Sequence, residues 1–304
     1  MKNQAALSWL IPLIAILALI AAGAGLFWPH EGQPYTWRTF RGETVTIAGQ
    51  GLYRYDSSSL AAQEQAQDGV TLVVGLPLLA VATWLAGRGS LRGKLLLAGM
   101  LGYFLYTYMS MTFYTAYNEL FLVYVTLFSL SLFAFVLSLM SFDLATLPQR
   151  FSDRLPRRAI AGLLFGAGAF LTLAWLGRII PPLVQGQTPP LENATTLVIQ
   201  AMDLGLIVPL TFLAGLWLLQ RRAWGYLLAS VAVMKMLTLG AAVSTMAINM
   251  ALTGVAISPV ELIVFPMLTL VNLVLAVLLL KCVEQKMEAS SSSGAAAALA
   301  KGVR

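Results

Sequence analysis

Cysteine and histidine occur once each in the 304 residues, and that scarcity removes whole classes of chemistry. A single Cys282 forbids an intramolecular disulfide or a redox thiol pair. With a single His30 beside it, the usual zinc sites, a metal-dependent membrane protease and a haem held by two histidines of one chain are all excluded. The sequence therefore predicts neither a metal nor a cofactor. Charge is the second shortage. Only 11% of residues are charged and 59% are hydrophobic, whereas soluble domains carry about 25% charged residues. A soluble domain of this length would have too little polar surface to cover its core.

What is present instead is a set of long apolar runs. Eight of them, approximately 7–28, 68–87, 95–115, 119–141, 158–182, 195–219, 224–250 and 258–281, are long enough to cross roughly 30 Å of hydrocarbon at about 1.5 Å per residue. Placing the N-terminus inside puts Lys2, Arg88, Arg92, Lys94, Arg150, Arg154, Arg157, Arg158, Arg221, Arg222, Lys281, Lys286, Lys301 and Arg304 on the inner side. Only Arg38, Arg41 and Arg54 then lie outside. This is the positive-inside bias. It predicts an all-α, multi-pass protein of the cell (plasma or inner) membrane with both termini cytoplasmic. A pI near 9.5 thus reports topology: the basic residues are spread over all the inner loops, and no nucleic-acid partner is expected. Lys2 before an apolar run resembles a signal peptide, but the run is long and GAGLFWPHEG offers no small-residue cleavage site. A retained anchor is expected.

Residues 29–67 are the sizeable water-exposed segment. TWRTFRGETVTIAGQGLYRYD alternates apolar or β-branched with polar residues, with turns at Arg41–Glu43 and Gly49–Gly51. That predicts a small extracytoplasmic β cap of two or three strands, followed by a Ser-capped helical lead-in, SSSLAAQEQAQ. The expected organisation is a first four-helix unit over 1–141, a cytoplasmic linker over 142–157, a second unit over 158–285 and a low-complexity tail over 286–304.

The two halves resemble one another. Asp68, Pro77-Leu, Trp84 and Arg88 run parallel to Asp203, Pro209-Leu, Trp217 and Arg221 with small length differences, and Glu119 of NELFLVYV aligns with Glu261 of VELIVFPM. Four spans per half predict parallel repeats related by an axis along the membrane normal, an arrangement known in transporters.

Against this apolar background the polar groups inside the spans stand out, because an ionisable group in hydrocarbon costs about 3 kcal/mol unless it meets a partner or water. Asp203 and Lys235, of opposite sign on adjacent spans, are the principal candidates, and they suggest a pair. Asp68, Asn118, Glu119, Arg178, Gln200, Asn249 and Glu261 complete a predicted outward-facing set. Gln200 and Asp203 share a helix face. Lys235, Thr238, Ala242, Thr245 and Asn249 form a small and polar stripe, as do Tyr103, Thr107, Ser110 and Tyr114. Pro77, Pro209 and Pro266 would kink helices near carboxylates. Two readings of these residues stay open. Asp203 with Lys235 or Arg178 could be a clamp that fixes packing, and Glu119 and Glu261 could sit at helix N-termini where the dipole favours them. Alternatively they line an outward-facing intramembrane cavity for a small polar or amphipathic solute. Tyr106, Met109 and Phe113 read as packing.

Three classes of function follow: transport or binding of a solute, a metal-independent enzyme acting on a lipid through Asp203, Glu261 and Lys235, and an accessory subunit whose cap meets a membrane-protein partner or a second copy. No nucleophile motif supports the second. Lys235 near an aspartate also invites a retinal Schiff-base reading, against which stand eight spans with the lysine in the seventh and no matching motif around it. GYFLYTYMS and YNELFLVYVTLFSLSLFAFV, with GQGLYRYD before them, resemble an uncharacterised bacterial multi-pass membrane protein family. The resemblance covers about half of the chain and implies no activity, cofactor or site residue.

Overall fold

The computed structural model describes residues 4–283, and among them are eight helices long and apolar enough to cross a membrane. They are α1 (Gln4–Phe27), α2 (Ser58–Gly87), α3 (Leu91–Phe113), α4 (Phe121–Met140), α5 (Arg157–Val184), α6 (Val198–Leu219), α7 (Ala223–Leu252) and α8 (Pro259–Lys281). The expected tail lies outside the described residues. Seven of the expected runs match within a few residues. The exception is α2, which starts ten residues early: Ser57 caps it by accepting a hydrogen bond from the Leu60 N–H, and the lead-in is continuous with the span. The reason is burial. Leu60, Ala61, Ala62, Glu64, Ala66, Gln67 and Asp68 all lie inside the protein, so the polar lead-in packs against protein instead of facing water.

α3 and α7 are the most buried helices and form the centre, while α5 and α8 present most of their surface outward. Large apolar side chains such as Trp9, Phe133, Leu173 and Leu270 are exposed around the perimeter, as expected of a surface whose solvent is lipid. The two central helices cross at Gly99. A Cβ there would stand 2.3 Å from Cβ of Met234, so glycine is what lets the backbones approach. Tyr103, Phe104, Tyr108 and Tyr124 fill the adjoining core with stacked and edge-on rings.

At the end opposite the arginine-rich turns, β1 (Tyr35–Arg38) and β2 (Thr44–Ile47) form an antiparallel hairpin, with Tyr35 opposite Ile47. Gly42, Gly49 and Gly51 take positive φ at the turns the sequence marks, a conformation open to glycine at no steric cost. Among the described residues no third strand joins the hairpin; Ile47 makes an isolated bridge with Ser57. The 142–157 connection packs into the arginine-rich end through Leu147, Phe151 and Leu155. Ser152 N–H donates to the Cys282 carbonyl, and Arg92 donates to that of Val283.

α2 and α6 share an unusual interior. Each contains one π-helical turn, Thr71–Gly75 in α2 and Asp203–Ile207 in α6. In both, a proline follows two residues later, Pro77 and Pro209. Proline has no N–H and its ring crowds the carbonyl four residues back; one wide turn absorbs both problems without ending the helix. The hydrogen bonds correspond at a constant offset of 132 residues. The Thr71 N–H is shared between the Gln67 and Asp68 carbonyls, and the Asp203 N–H between those of Ile199 and Gln200. Leu76 N–H reaches Thr71 O, and Val208 N–H reaches Asp203 O. The same offset continues through the next turn. Gly89 and Arg221 both have positive φ, and Gly93 and Gly225 both lie against the end of the preceding helix, where a Cβ would clash with backbone. At Arg221 this conformation is strained, because a Cβ is present.

Candidate functional site

The crossing of α3 and α7 places Lys235 in the interior. Its side chain is 7% exposed, and Nζ has no hydrogen-bond partner. It lies instead over the Tyr106 ring, 3.9 Å from the centroid. A cation on an aromatic face gains roughly 2 kcal/mol when desolvated, which offsets only part of the loss of water and leaves three N–H donors uncommitted. Tyr106 also reaches the other charge. Its hydroxyl donates to Asp203 Oδ1 at 2.8 Å, and Trp175 Nε1–H from α5 donates to Oδ2 at 2.9 Å. Asp203 is the first residue of the π turn of α6 and is 5% exposed.

This corrects the expected ion pair. Among the described residues Asp203 and Lys235 make no salt bridge, and neither does Asp203 with Arg178. The carboxylate is satisfied by a phenol and an indole, and Tyr106 stands between the two charges. Tyr106 is therefore more than the packing residue its sequence context suggests. Helical spacing could not reveal this, because the contact joins α3, α5, α6 and α7.

The other candidates divide. Gln200 is buried one turn before Asp203. Asn249 holds α7 to α2 by donating to the Ala62 carbonyl at 2.7 Å. Arg178 is exposed and donates to Pro190 O. The two glutamates are not equivalently placed. Glu119 lies in the turn before α4, paired with Arg54, which lowers the Glu119 pKa. Glu261 lies inside the first turn of α8, where with Ser258 it makes a capping box. Both thus fit the helix-terminus reading, and neither approaches Asp203 through a hydrogen bond.

Asp68 and Asn118 belong to a second cluster at the hairpin end that the sequence shows only in part. The Tyr53 hydroxyl donates to Asp68 Oδ2 at 2.6 Å, and the Thr115 hydroxyl donates to Glu64 Oε1 at 3.2 Å. The Ala116 N–H donates to Asp56 Oδ1 at 2.8 Å. Gln67 donates to Tyr103 and Thr107, and the Thr71 and Tyr103 hydroxyls are 2.9 Å apart. Glu64, Gln67 and Asp68 are one face of a helix at steps of three and four, and that spacing was the available signal; the high polarity of the lead-in concealed it. Burial pushes the Asp56 carboxyl up to about 7, against the pull of the Ala116 N–H and with the help of Glu192. Burial likewise raises the Tyr53 phenol, and the neighbouring Asp68, Tyr124 and Glu64 add to it.

A cavity of about 530 Å³ lies elsewhere, at the arginine-rich end, lined by Arg157, Arg158 and Arg221 with Leu155 and Leu219. Three comparisons, with protein-family models, with curated proteins and with solved structures, each find no match to this chain, so its function has to be argued from the two clusters themselves.

Proposed function

We propose that this protein binds and moves a small polar or amphipathic solute across the cell membrane, at a site between α3, α6 and α7 centred on Lys235. In this reading both termini are cytoplasmic, and the hairpin covers the extracytoplasmic face, as the positive-inside bias requires. The solute carries a hydrogen-bond acceptor, a carboxylate or carbonyl, because Lys235 offers donors while Asp203 is already occupied by two. The chain is read as two parallel four-helix repeats. The constant offset of 132 residues linking the π turns, prolines, left-handed turn residues and helix-contact glycines supports this, although it revises the alignment drawn from sequence. At that offset Asp203 corresponds to Thr71 and Lys235 to Tyr103, and Asp68 corresponds to Gln200.

One observation carries the proposal. In the first half the corresponding positions hold Thr71 and Tyr103, neutral and hydrogen-bonded to each other. The same backbone geometry is therefore built without charge. Asp203 and Lys235 are not needed to make the helices meet, and a buried unpaired ammonium is a cost that a functional requirement explains. Interrupted helices at matching places in two halves are also where transporter sites form. The test is a binding screen of the purified protein by thermal shift, with amino acids and short-chain carboxylates. Stabilisation by a solute in the wild type that vanishes in Lys235→Met, with counterflow of that solute in proteoliposomes, is the expected result. Solute binding that survives Lys235→Met unchanged would sink the reading.

The accessory-subunit reading draws support from the exposed Tyr35, Phe40 and Tyr117 at the hairpin end; copurification that depends on those residues, with no Lys235-dependent binding, would favour it.

A further inference from the structure

We propose that Asp56, Glu64 and Asp68 form a proton-loading chain, running from the hairpin end inward along α2 to its π turn, and that it supplies the coupling ion of the solute site. The coupling rests on the transport reading above; the binding of protons does not.

The three carboxyls are 1%, 5% and 1% exposed, and among the described residues none has an ion pair. Arg54, the nearest basic residue in sequence, is committed to Glu119. Each carboxyl has one neutral donor: the Ala116 N–H, the Thr115 hydroxyl and the Tyr53 hydroxyl. Three buried acids without a cation cannot all be ionised, since each charge would raise the cost of the next. The groups facing them from other elements are of the same or no charge. Glu192 of the 185–197 connection faces Asp56 and bonds to the Ser57 hydroxyl. Tyr53, Tyr108 and Tyr124 surround Asp68. Tyr114 lies near Glu64, Asp56 and Glu192, and the exposed Arg178, which donates to Pro190 O, acts on that tyrosine.

A second observation is independent of the carboxyls. The Tyr108 hydroxyl is buried beside this cluster without a hydrogen-bond partner, and the buried Tyr124 hydroxyl and Asn118 amide have at most each other and Tyr53. Native interiors rarely leave such groups idle, and their presence marks a place for exchangeable protons and ordered water. The described acids do not converge in a way that would hold a metal ion, so the ligand is the proton. The transfer is simple: a hydronium at the hairpin end protonates one carboxylate, which passes its proton to the next, and no other bond changes. From Asp68 the polar contacts continue: the neighbouring Gln67 bonds to Tyr103, and Tyr103 to Thr71 at the π turn.

The inference is tested by infrared pH titration of the full chain in lipid, comparing wild type with Glu64→Gln and Asp68→Asn. Amides copy the shape of the protonated acids, so both variants are expected to fold and to melt at pH 7 no lower than wild type. A protonated-carboxyl band at pH 7 that loses intensity in each variant is the expected result. Three outcomes would overturn the proposal: no protonated band at pH 7, a band untouched by both variants, or a band that persists unchanged however far the pH is raised. A transport assay plays no part in this measurement, so failure of the solute reading would leave its result intact.

Discussion

Asp56 lies outside the spans and allows the burial of an acid to be worked through in numbers. Its carboxyl is raised from 3.8 to about 7, chiefly by burial. A raised pKa means that the fold favours the protonated form, so the stability it contributes is complete below pH 3.8 and is lost as the pH rises through 7. Between those two values the loss accrues at about 1.4 kcal/mol per pH unit, which comes to roughly 4 kcal/mol above pH 8 and roughly 2 kcal/mol at pH 5. Asp56→Asn keeps an oxygen for the Ala116 N–H and removes the charge. It is therefore expected to raise the thermal midpoint of the detergent-solubilised protein at pH 8, with the advantage shrinking steadily towards pH 4. Melting curves of both proteins across that range decide it. An Asn variant that is less stable at pH 8, or a difference that does not change with pH, would refute the reasoning, because Asp56 would then be ionised and anchored in the fold.

Other expectations test separate links. Gly99→Ala should cost about 1–3 kcal/mol by overpacking, because its methyl would meet Met234; an unchanged melting point would place the α3–α7 crossing elsewhere. Gly25→Ala should act at a distance from its own helix, since its Cβ would fall on Asp68 Oδ2, and the Tyr53 hydrogen bond should be lost. Infrared detection of Asp68 is the readout, and an unaltered signal counts against the contact. Tyr106→Phe leaves one oxygen of Asp203 without its donor and should destabilise by about 1–3 kcal/mol, with Trp175 fluorescence shifting as its partner moves. Ser258→Ala removes the capping box of α8 at a cost of about 1 kcal/mol, seen as an earlier melting transition, and no loss would mean that the α8 start is held otherwise.

Helix number, and the limits of every span but α2, were legible because apolar run length is a property of single segments, fixed by bilayer thickness. The hairpin turns were legible for a similar reason: Gly42, Gly49 and Gly51 are needed where φ is positive. Asp203 and Lys235 stood out because any charge stands out in hydrocarbon. Their partners did not, since Tyr106 and Trp175 look like ordinary core aromatics until four helices are assembled. The inferred salt bridge assumed that opposite charges on adjacent spans meet, and a phenol and an indole satisfied the carboxylate first. The helical, Ser-capped lead-in of α2 was legible, but its burial was not, because polarity normally signals water, while here Glu64, Gln67 and Asp68 bond to Thr115, Tyr103, Thr107 and Tyr53.

The two clusters also clarify one another. Each lies beside a π turn or one helical turn from it, and in such a turn the backbone makes i→i+5 in place of i→i+4 bonds, a feature frequent at functional sites. In α2 the side chains around the turn close on themselves, Gln67 and Thr71 onto Tyr103. In α6 the turn carries Asp203, whose two oxygens are held by side chains from α3 and α5 and not by its own helix. A change in protonation near the first turn would alter a neutral network, whereas a ligand on Lys235 would act through Tyr106 on the carboxylate at the second. Both turns bond to α3, Thr71 through the Tyr103 hydroxyl and Asp203 through the Tyr106 hydroxyl, and α3 in turn crosses α7 at Gly99 without side-chain bulk between them. A shift of either π turn by one residue therefore acts on the same helix. In the transport reading proposed above, the proton chain and the solute site would share α3 as a mechanical element, and their coupling would run through that helix and not through the hairpin.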